Sequence, residues 1–185
     1  MTRFQPPSPP FADQRGAALI TSLIFLIVLT LIGVTAARMS SLEERMAGNL
    51  RDRALAMQAA ELALRDAERD ILNSGRVSGI SDFAADCDQD DANNTPDDGL
   101  CYNGAAGFAA PVWTLFSMTA APSVGYGDIT GATAVPLVSA QPRYLIEGIR
   151  KAPPGSGDSF FYRITVRAQG VNANTVVMLQ EVFKP

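Results

Sequence analysis

The longest apolar segment of the chain lies near its N-terminus. No residue between Arg15 and Arg38 is charged, and large aliphatic side chains recur around every face of a helix built from this segment. At about 1.5 Å per residue, a run of about 22 residues spans roughly 33 Å, enough to cross the ~30 Å hydrocarbon core of a bilayer. A helix that is apolar all round is covered either by lipid or by other apolar helices.

A helix-forming segment without proline follows this apolar run directly. Its composition favours helix throughout, and Leu55, Ala59 and Leu62 fall on one stripe of the helix surface. We therefore predict one continuous helix from Ala17 to about Leu72. Its first half is apolar and its second half is an amphipathic stem.

Strict alternation marks the C-terminal third of the chain. From Phe160 to Gln169 apolar and polar residues alternate with period two, which is typical of a strand with one buried face. A turn at 170–174 leads to a second predicted strand at 175–183, and residues 143–150 predict a third. The amphipathic stem can cover the apolar face of these strands. We predict an α+β fold in which the long helix packs on an antiparallel sheet of about three or more strands.

The segment between the helix and these strands is rich in proline and glycine and has little periodicity. Within it, residues 112–116 predict a short strand. The predicted organisation is a leader at 1–16, an apolar half-helix at 17–38, an amphipathic half-helix at 39–74, an irregular region at 75–142 and a C-terminal sheet at 143–185.

Two cysteines, Cys87 and Cys101, flank an acidic stretch of this irregular region. If the region is exported, it enters an oxidising compartment and the two thiols should pair. The disulfide would close a loop of ~15 residues and stabilise the fold by roughly 3 kcal/mol in the chain-entropy description. Two free thiols would lack the histidine or further cysteine partners of a metal site.

The acidic stretch has some features of a calcium-binding loop. Asp86, Asp88 and Asp90 alternate, Asn94 follows, and Asp97 is the last candidate ligand. Calcium prefers six or more oxygen ligands gathered from one short segment. The pattern is imperfect, because an aspartate stands where the sharp turn requires glycine and the last ligand is not glutamate. A solvated acidic loop is the simpler interpretation, and calcium is the one cofactor that the sequence suggests.

The overall charge and the absence of histidine restrict the function. The chain has 15 basic and 19 acidic residues, which argues against a nucleic-acid partner. It has no histidine, the commonest general base and the commonest zinc ligand. No phosphate-binding loop or nucleophile elbow is present either. We therefore predict a structural protein and not an enzyme.

Three interpretations of the apolar run compete. It can be a single-span anchor, or a secretory signal peptide cleaved after Ala36. It can also follow a prepilin leader that is cut between Gly16 and Ala17, so that the run is retained. The run is longer than the roughly 7–15 apolar residues of a secretory signal, which argues against the second interpretation.

The residues around the run carry a family resemblance. Gln14-Arg15-Gly16-Ala17-Ala18-Leu19, the apolar run, and then the Leu-Glu-Glu-Arg-Met-Ala-Gly-Asn stretch at 42–49 resemble the N-terminal region of PilX-type minor pilins. The resemblance covers roughly residues 14–70. Residues 162–170 and 175–180 are also similar to the closing strands of these pilins.

This resemblance implies a processing route and a set of partners. A prepilin peptidase would cleave after Gly16, and the new amine of Ala17 would be methylated. The protein would span the inner membrane once, with its N-terminus in the cytoplasm, and then join an extracellular pilus. Its partners would be the major pilin and other minor pilins, with a tip adhesin as a further candidate.

The fifth residue after the implied cleavage point departs from the usual pilin pattern. Most pilins have a glutamate there, which the family account pairs with the N-terminal amine of a neighbouring subunit. This chain has Thr21. The hypothesis is that the subunit promotes initiation of assembly and lies at or near the filament tip.

Two other functions remain open from the sequence. A minor pseudopilin of a type II secretion system uses the same processing machinery and a similar head. A membrane-tethered extracytoplasmic binding domain would instead keep its N-terminus at or near Met1.

Overall fold

The computed structural model describes residues 17–87, 99–102, 104, 107–152, 154–155 and 157–185. The chain divides into two units, Met1–Ala47 and Gly48–Pro185. The elements in chain order are α1 (Ala17–Asn73), β1 (Leu100–Cys101), α2 (Val112–Leu115), β2 (Val124–Gly125), β3 (Arg143–Lys151), β4 (Ser159–Gln169) and β5 (Val176–Phe183).

The predicted long helix is present as α1, and its first half is exposed. Every residue from 17 to 47 is solvent-exposed, and α1 is long and apolar enough to cross a membrane. Four hydroxyls of this half bond to carbonyls three or four residues earlier, so their polarity is satisfied within the helix. These hydroxyls belong to Thr21, Ser22, Thr30 and Thr35.

The second unit contains the sheet, and the predicted α+β pilin-like fold is confirmed. The three strands predicted near the C-terminus form the antiparallel ladder β3-β4-β5. The sheet is mixed and has five strands, because β1 runs parallel to β3 and β2 pairs antiparallel with β3. β1 and β2 are two residues long each, too short to produce an alternating pattern in the sequence.

The second half of α1 packs on this sheet through small side chains. Ala59, Ala60, Ala63 and Ala67 are completely buried against sheet residues. Alanine lets a helix approach a sheet closely, so the large side chains of the strands fill the interface. The opposing sheet residues are Tyr144, Ile146, Tyr162, Ile164 and Val166.

The stripe predicted for the stem coincides only in part with the buried face. Ala59 of that stripe is completely buried, whereas Leu62 is 41 % exposed and its neighbour Ala63 is buried. Hydrophobicity ranks leucine above alanine and therefore does not predict which of these two residues is buried. Space between helix and sheet decides which residues are buried, and it favours alanine here.

The strand predicted at residues 112–116 is wrong, because this segment forms the short helix α2. Pro111 precedes it, and its carbonyl accepts bonds from the Thr114 backbone N–H at 2.8 Å and from the Thr114 hydroxyl at 2.7 Å. The N–H of Phe116 then closes a helical turn on Val112 O at 3.0 Å. A five-residue apolar run does not distinguish strand from buried helix by periodicity.

Candidate processing, assembly and disulfide sites

The predicted processing site lies at the start of the described structure. Gly16 lies outside the described residues, and Ala17 is the first residue of α1. Ala17 is exposed, as a new N-terminus must be if a methylating enzyme is to reach it. Cleavage between these two residues stays a prediction.

Thr21 lies one helical turn after Ala17. Its Oγ1 donates to Ala17 O at 3.1 Å and to Ala18 O at 3.0 Å. The hydroxyl is therefore satisfied by its own helix and requires no group from another subunit. Position 21 contributes no charge to the apolar surface of α1.

The predicted disulfide is present between Cys87 and Cys101, whose Cα atoms are 4.1 Å apart. Both residues are completely buried. They form a second apolar cluster with Val112, Met118 and Leu145, separate from the cluster between α1 and the sheet. The disulfide therefore fixes the segment after α1, together with α2, against β3.

The predicted calcium site falls mostly outside the described residues. Asp88, Asp90, Asn94 and Asp97 lie there, and only Asp86 is described, as an exposed side chain. Within the described ranges, no group of three or more aspartate, glutamate, cysteine or histidine residues could hold a metal ion. Calcium binding by the acidic loop stays a prediction.

Two buried aspartates on α1 connect the helix to the rest of the second unit. The Asp66 carboxylate accepts from the Gly127 backbone N–H at 2.8 Å and from the Thr130 hydroxyl. The Asp70 carboxylate forms a bidentate pair with Arg76 and accepts from the Tyr144 hydroxyl at 2.9 Å.

Hydrogen bonds compensate for the burial of both carboxylates, from Gly127 and Thr130 at Asp66 and from Arg76 and Tyr144 at Asp70. Burial and the nearby Asp70 charge raise the pKa of Tyr144 far above its ordinary value, so its hydroxyl remains a donor.

A third aspartate, Asp52, holds the turn between β4 and β5. Its Oδ1 accepts from the Val171 backbone N–H at 2.6 Å and from that of Asn172 at 3.3 Å. A hydrogen bond from the Thr175 side chain is the main cause of a lowered Asp52 pKa. A Cβ on Gly170 would lie 2.3 Å from Asp52 Oδ1, so this close approach requires glycine.

Two acidic residues, Glu68 of α1 and Glu181 of β5, lie close to each other. Glu181 is on the face of β5 that also carries the partly buried Leu179 and Phe183. Burial raises the pKa of Glu181, and the Glu68 carboxylate raises it further, whereas Arg65 lowers it.

Sequence reasoning missed these acidic contacts. The available signal was the spacing of Asp66 and Asp70, which share one helix face with the buried alanines. The sequence offered no way to identify their partners, because Gly127 and Tyr144 lie more than sixty positions further along the chain.

Comparison with known families decides the assignment. Residues 15–65 match the family described as PilX N-terminal. Residues 84–185 match the family described as Type IV pilus assembly protein PilX C-term. The chain belongs to the PilX family. No curated protein and no solved structure matches the chain significantly.

Membership of the PilX family relates the elements of this fold to a structural subunit of the type IV pilus. PilX proteins are structural minor pilins of the type IV pilus, and membership indicates interaction with other pilins. The exposed apolar half of α1 fits membrane anchoring before assembly and helix packing afterwards. The disulfide and the α1–sheet interface belong to the head of this PilX-family pilin.

Proposed function

We propose that this PilX-family protein promotes the initiation of pilus assembly and lies at or near the filament tip. The observation that carries the proposal is Thr21, at the position where most pilins have a glutamate. Its hydroxyl bonds only to carbonyls of its own helix within the described structure.

A carboxylate inside a bundle of apolar helices is costly unless an opposite charge is present. In the shaft, the amine of a neighbouring subunit supplies that charge. The first subunit to dock has no earlier neighbour, so a residue that is satisfied within its own helix avoids an unpaired charge.

We also propose that the chain is processed by a prepilin peptidase between Gly16 and Ala17. Arg3 and Arg15 outweigh Asp13 before the apolar run, which favours a cytoplasmic leader and an exported head. The disulfide between the only two cysteines supports export, because such bonds persist in oxidising compartments.

Immunogold labelling of whole filaments tests the tip position. Label should occur at fibre ends, with few copies per fibre, and deletion should lower the number of filaments without weakening those that form. Even labelling along the shaft would exclude the tip position.

The Thr21→Glu variant tests the residue itself, with Thr21→Ser as its matched control. Glutamate creates a carboxylate that needs an amine from an earlier subunit, so this variant should lose tip labelling and form fewer filaments. Thr21→Ser keeps the hydroxyl and should behave as the native chain. Equal behaviour of the two variants would remove the argument from Thr21.

A further inference from the structure

The two edges of the sheet differ in length. On one side, β3 is flanked by β1 and β2, which have two residues each. On the other side lies β5, with eight residues, which pairs with β4 alone within the described residues. Very short strands blunt a sheet edge, whereas a long regular edge strand is a template for another strand.

We propose that the open edge of β5, from Val176 to Gln180, binds an extended segment of a neighbouring pilin, which continues the sheet as a further strand. This inference rests on the proposed function in that it takes the partner to be a subunit of the same filament.

The hydrogen-bond register shows which backbone groups are available. The Gly170 N–H donates to Thr175 O at 2.9 Å, and these two residues directly follow the last pair of the β4–β5 ladder, Gln169 and Val176. Bonded and non-bonded pairs alternate in an antiparallel ladder, so Val177 and Leu179 direct their N–H and C=O groups towards β4. Those of Val176, Met178 and Gln180 point to the open edge.

A groove beside this edge can receive side chains of the added strand. It has a volume of about 420 Å³ and is lined by β5 residues 176–179 and by Leu50, Arg53, Ala54 and Met57 of α1. Leu50 is 67 % exposed and Met57 is 43 % exposed. An added strand gains affinity from its main-chain bonds and specificity from pockets for alternate side chains.

Proteins usually guard such edges with lysine, proline, bulges or inward-pointing charges. β5 has no lysine or proline, and its pairing with β4 is continuous from Val176 to Phe183. Glu181 is the one inward-facing charge, and it protects the second half of the strand. The unguarded part is therefore Val176–Gln180, which is also the part beside the groove.

An extended partner fits this edge better than a helix does. A helix satisfies its own backbone groups and would leave the outward N–H and C=O groups of Val176, Met178 and Gln180 without partners. A strand satisfies them, and its inward side chains would cover Leu50 and Met57.

Amide hydrogen exchange on the unmodified full chain tests the proposal. The chain alone in detergent micelles is compared with the chain in sheared filaments, with residue-level readout by mass spectrometry. The Met178 and Gln180 amides should exchange at least about tenfold more slowly in filaments, as expected for edge groups that acquire a partner. The Leu179 amide, already bonded to β4, should be protected in both samples.

Two results would overturn the proposal. Rapid exchange of Met178 and Gln180 in filaments would show that no strand adds to the edge. Slow exchange in the isolated chain would show that the protein covers its own edge.

The variants Met178→Pro and Met178→Ala give an independent test. Proline removes an outward N–H without removing a bond to β4, as is tolerated on edge strands. Recovery of Met178→Pro in filaments should be at least about tenfold below that of Met178→Ala, with similar melting temperatures. Equal recovery would contradict strand addition, and the exchange comparison remains decisive if the proline variant does not fold.

The outcomes separate this proposal from the tip position. Shaft labelling combined with slow exchange of Met178 and Gln180 would refute the tip position alone. Tip labelling combined with rapid exchange would refute strand addition alone.

Discussion

Replacing Asp70 by alanine should destabilise the head more than any change on the exposed face of α1. Asp70 is completely buried, and its carboxylate binds both the Arg76 guanidinium and the Tyr144 hydroxyl. Alanine would leave the buried Tyr144 hydroxyl without its acceptor and would remove the ion pair between Asp70 and Arg76.

The magnitude follows from the burial of the two partners. Breaking a buried ion pair by removing one member costs ~3–5 kcal/mol. The Arg76 side chain is 18 % exposed and can turn towards water, so we expect the lower end, about 3 kcal/mol. For a chain of this size, that loss corresponds to a fall in melting temperature of roughly 6–12 °C.

The assay is thermal unfolding of the full chain in detergent micelles, followed by near-UV circular dichroism. Glu61→Ala is the matched control, because Glu61 is exposed on the same helix and should change stability by less than about 0.5 kcal/mol. A double-mutant cycle with Tyr144→Phe should show coupling, since the two side chains share a hydrogen bond. Equal melting temperatures for Asp70→Ala and Glu61→Ala would refute the argument.

Three further changes test other contacts. Because the folded state raises the pKa of Glu181, the contribution of this group to stability is present at low pH and is lost as the pH rises through the folded pKa. Glu181→Gln should therefore raise the melting temperature at neutral pH and flatten the dependence of the melting temperature on pH. An unchanged dependence on pH would contradict the effect of Glu68 on Glu181. The double variant Cys87→Ser and Cys101→Ser should lower the free energy of unfolding, measured with denaturant, by roughly 3 kcal/mol. Thiol labelling of the native protein that finds two free cysteines would refute the disulfide. Gly170→Ala should lower the free energy of unfolding by about 1–3 kcal/mol, because its Cβ would clash with Asp52. Gly157→Ala is the control, because the space around Gly157 is open, and it should melt like the native chain. Equal stability of the two variants would contradict the close approach at Gly170.

The elements with a long, regular pattern were predictable from the sequence. The helix predicted from Ala17 to about Leu72 is observed as Ala17–Asn73. The strand predicted at 160–169 is observed as Ser159–Gln169. In both cases, many residues repeat one period, so local preference and burial point to the same structure.

The contacts between distant segments were not predictable in this way. The parallel pairing of β1 with β3 depends on two residues, Leu100 and Cys101, that the disulfide holds beside Ile146 and Glu147. The sequence suggested the disulfide from the cysteine count and the expected compartment. It did not show that the bonded pair would be buried under α2.

The composition of the stem also gave no indication of which of its faces is buried. A stripe of alanines interrupted by Asp66 and Asp70 has lower hydrophobicity than the leucine-containing faces. The buried face could not be predicted from the helix sequence alone, because burial of the two carboxylates requires donors from distant residues. These donors are Gly127, Thr130 and Tyr144. Thr21 differs, since the role proposed for it depends on its distance from the proposed cleavage point, and that distance can be counted in the sequence.

The mass of the mature N-terminal peptide, measured from sheared filaments, tests the central claim most directly. We expect a peptide that begins at Ala17 with a methylated amine and retains the whole apolar run. A mature N-terminus at Met1 would favour a membrane-tethered domain, and one at Ala37 would favour a secretory signal peptide. Either result would contradict the assignment of this chain as a processed pilin.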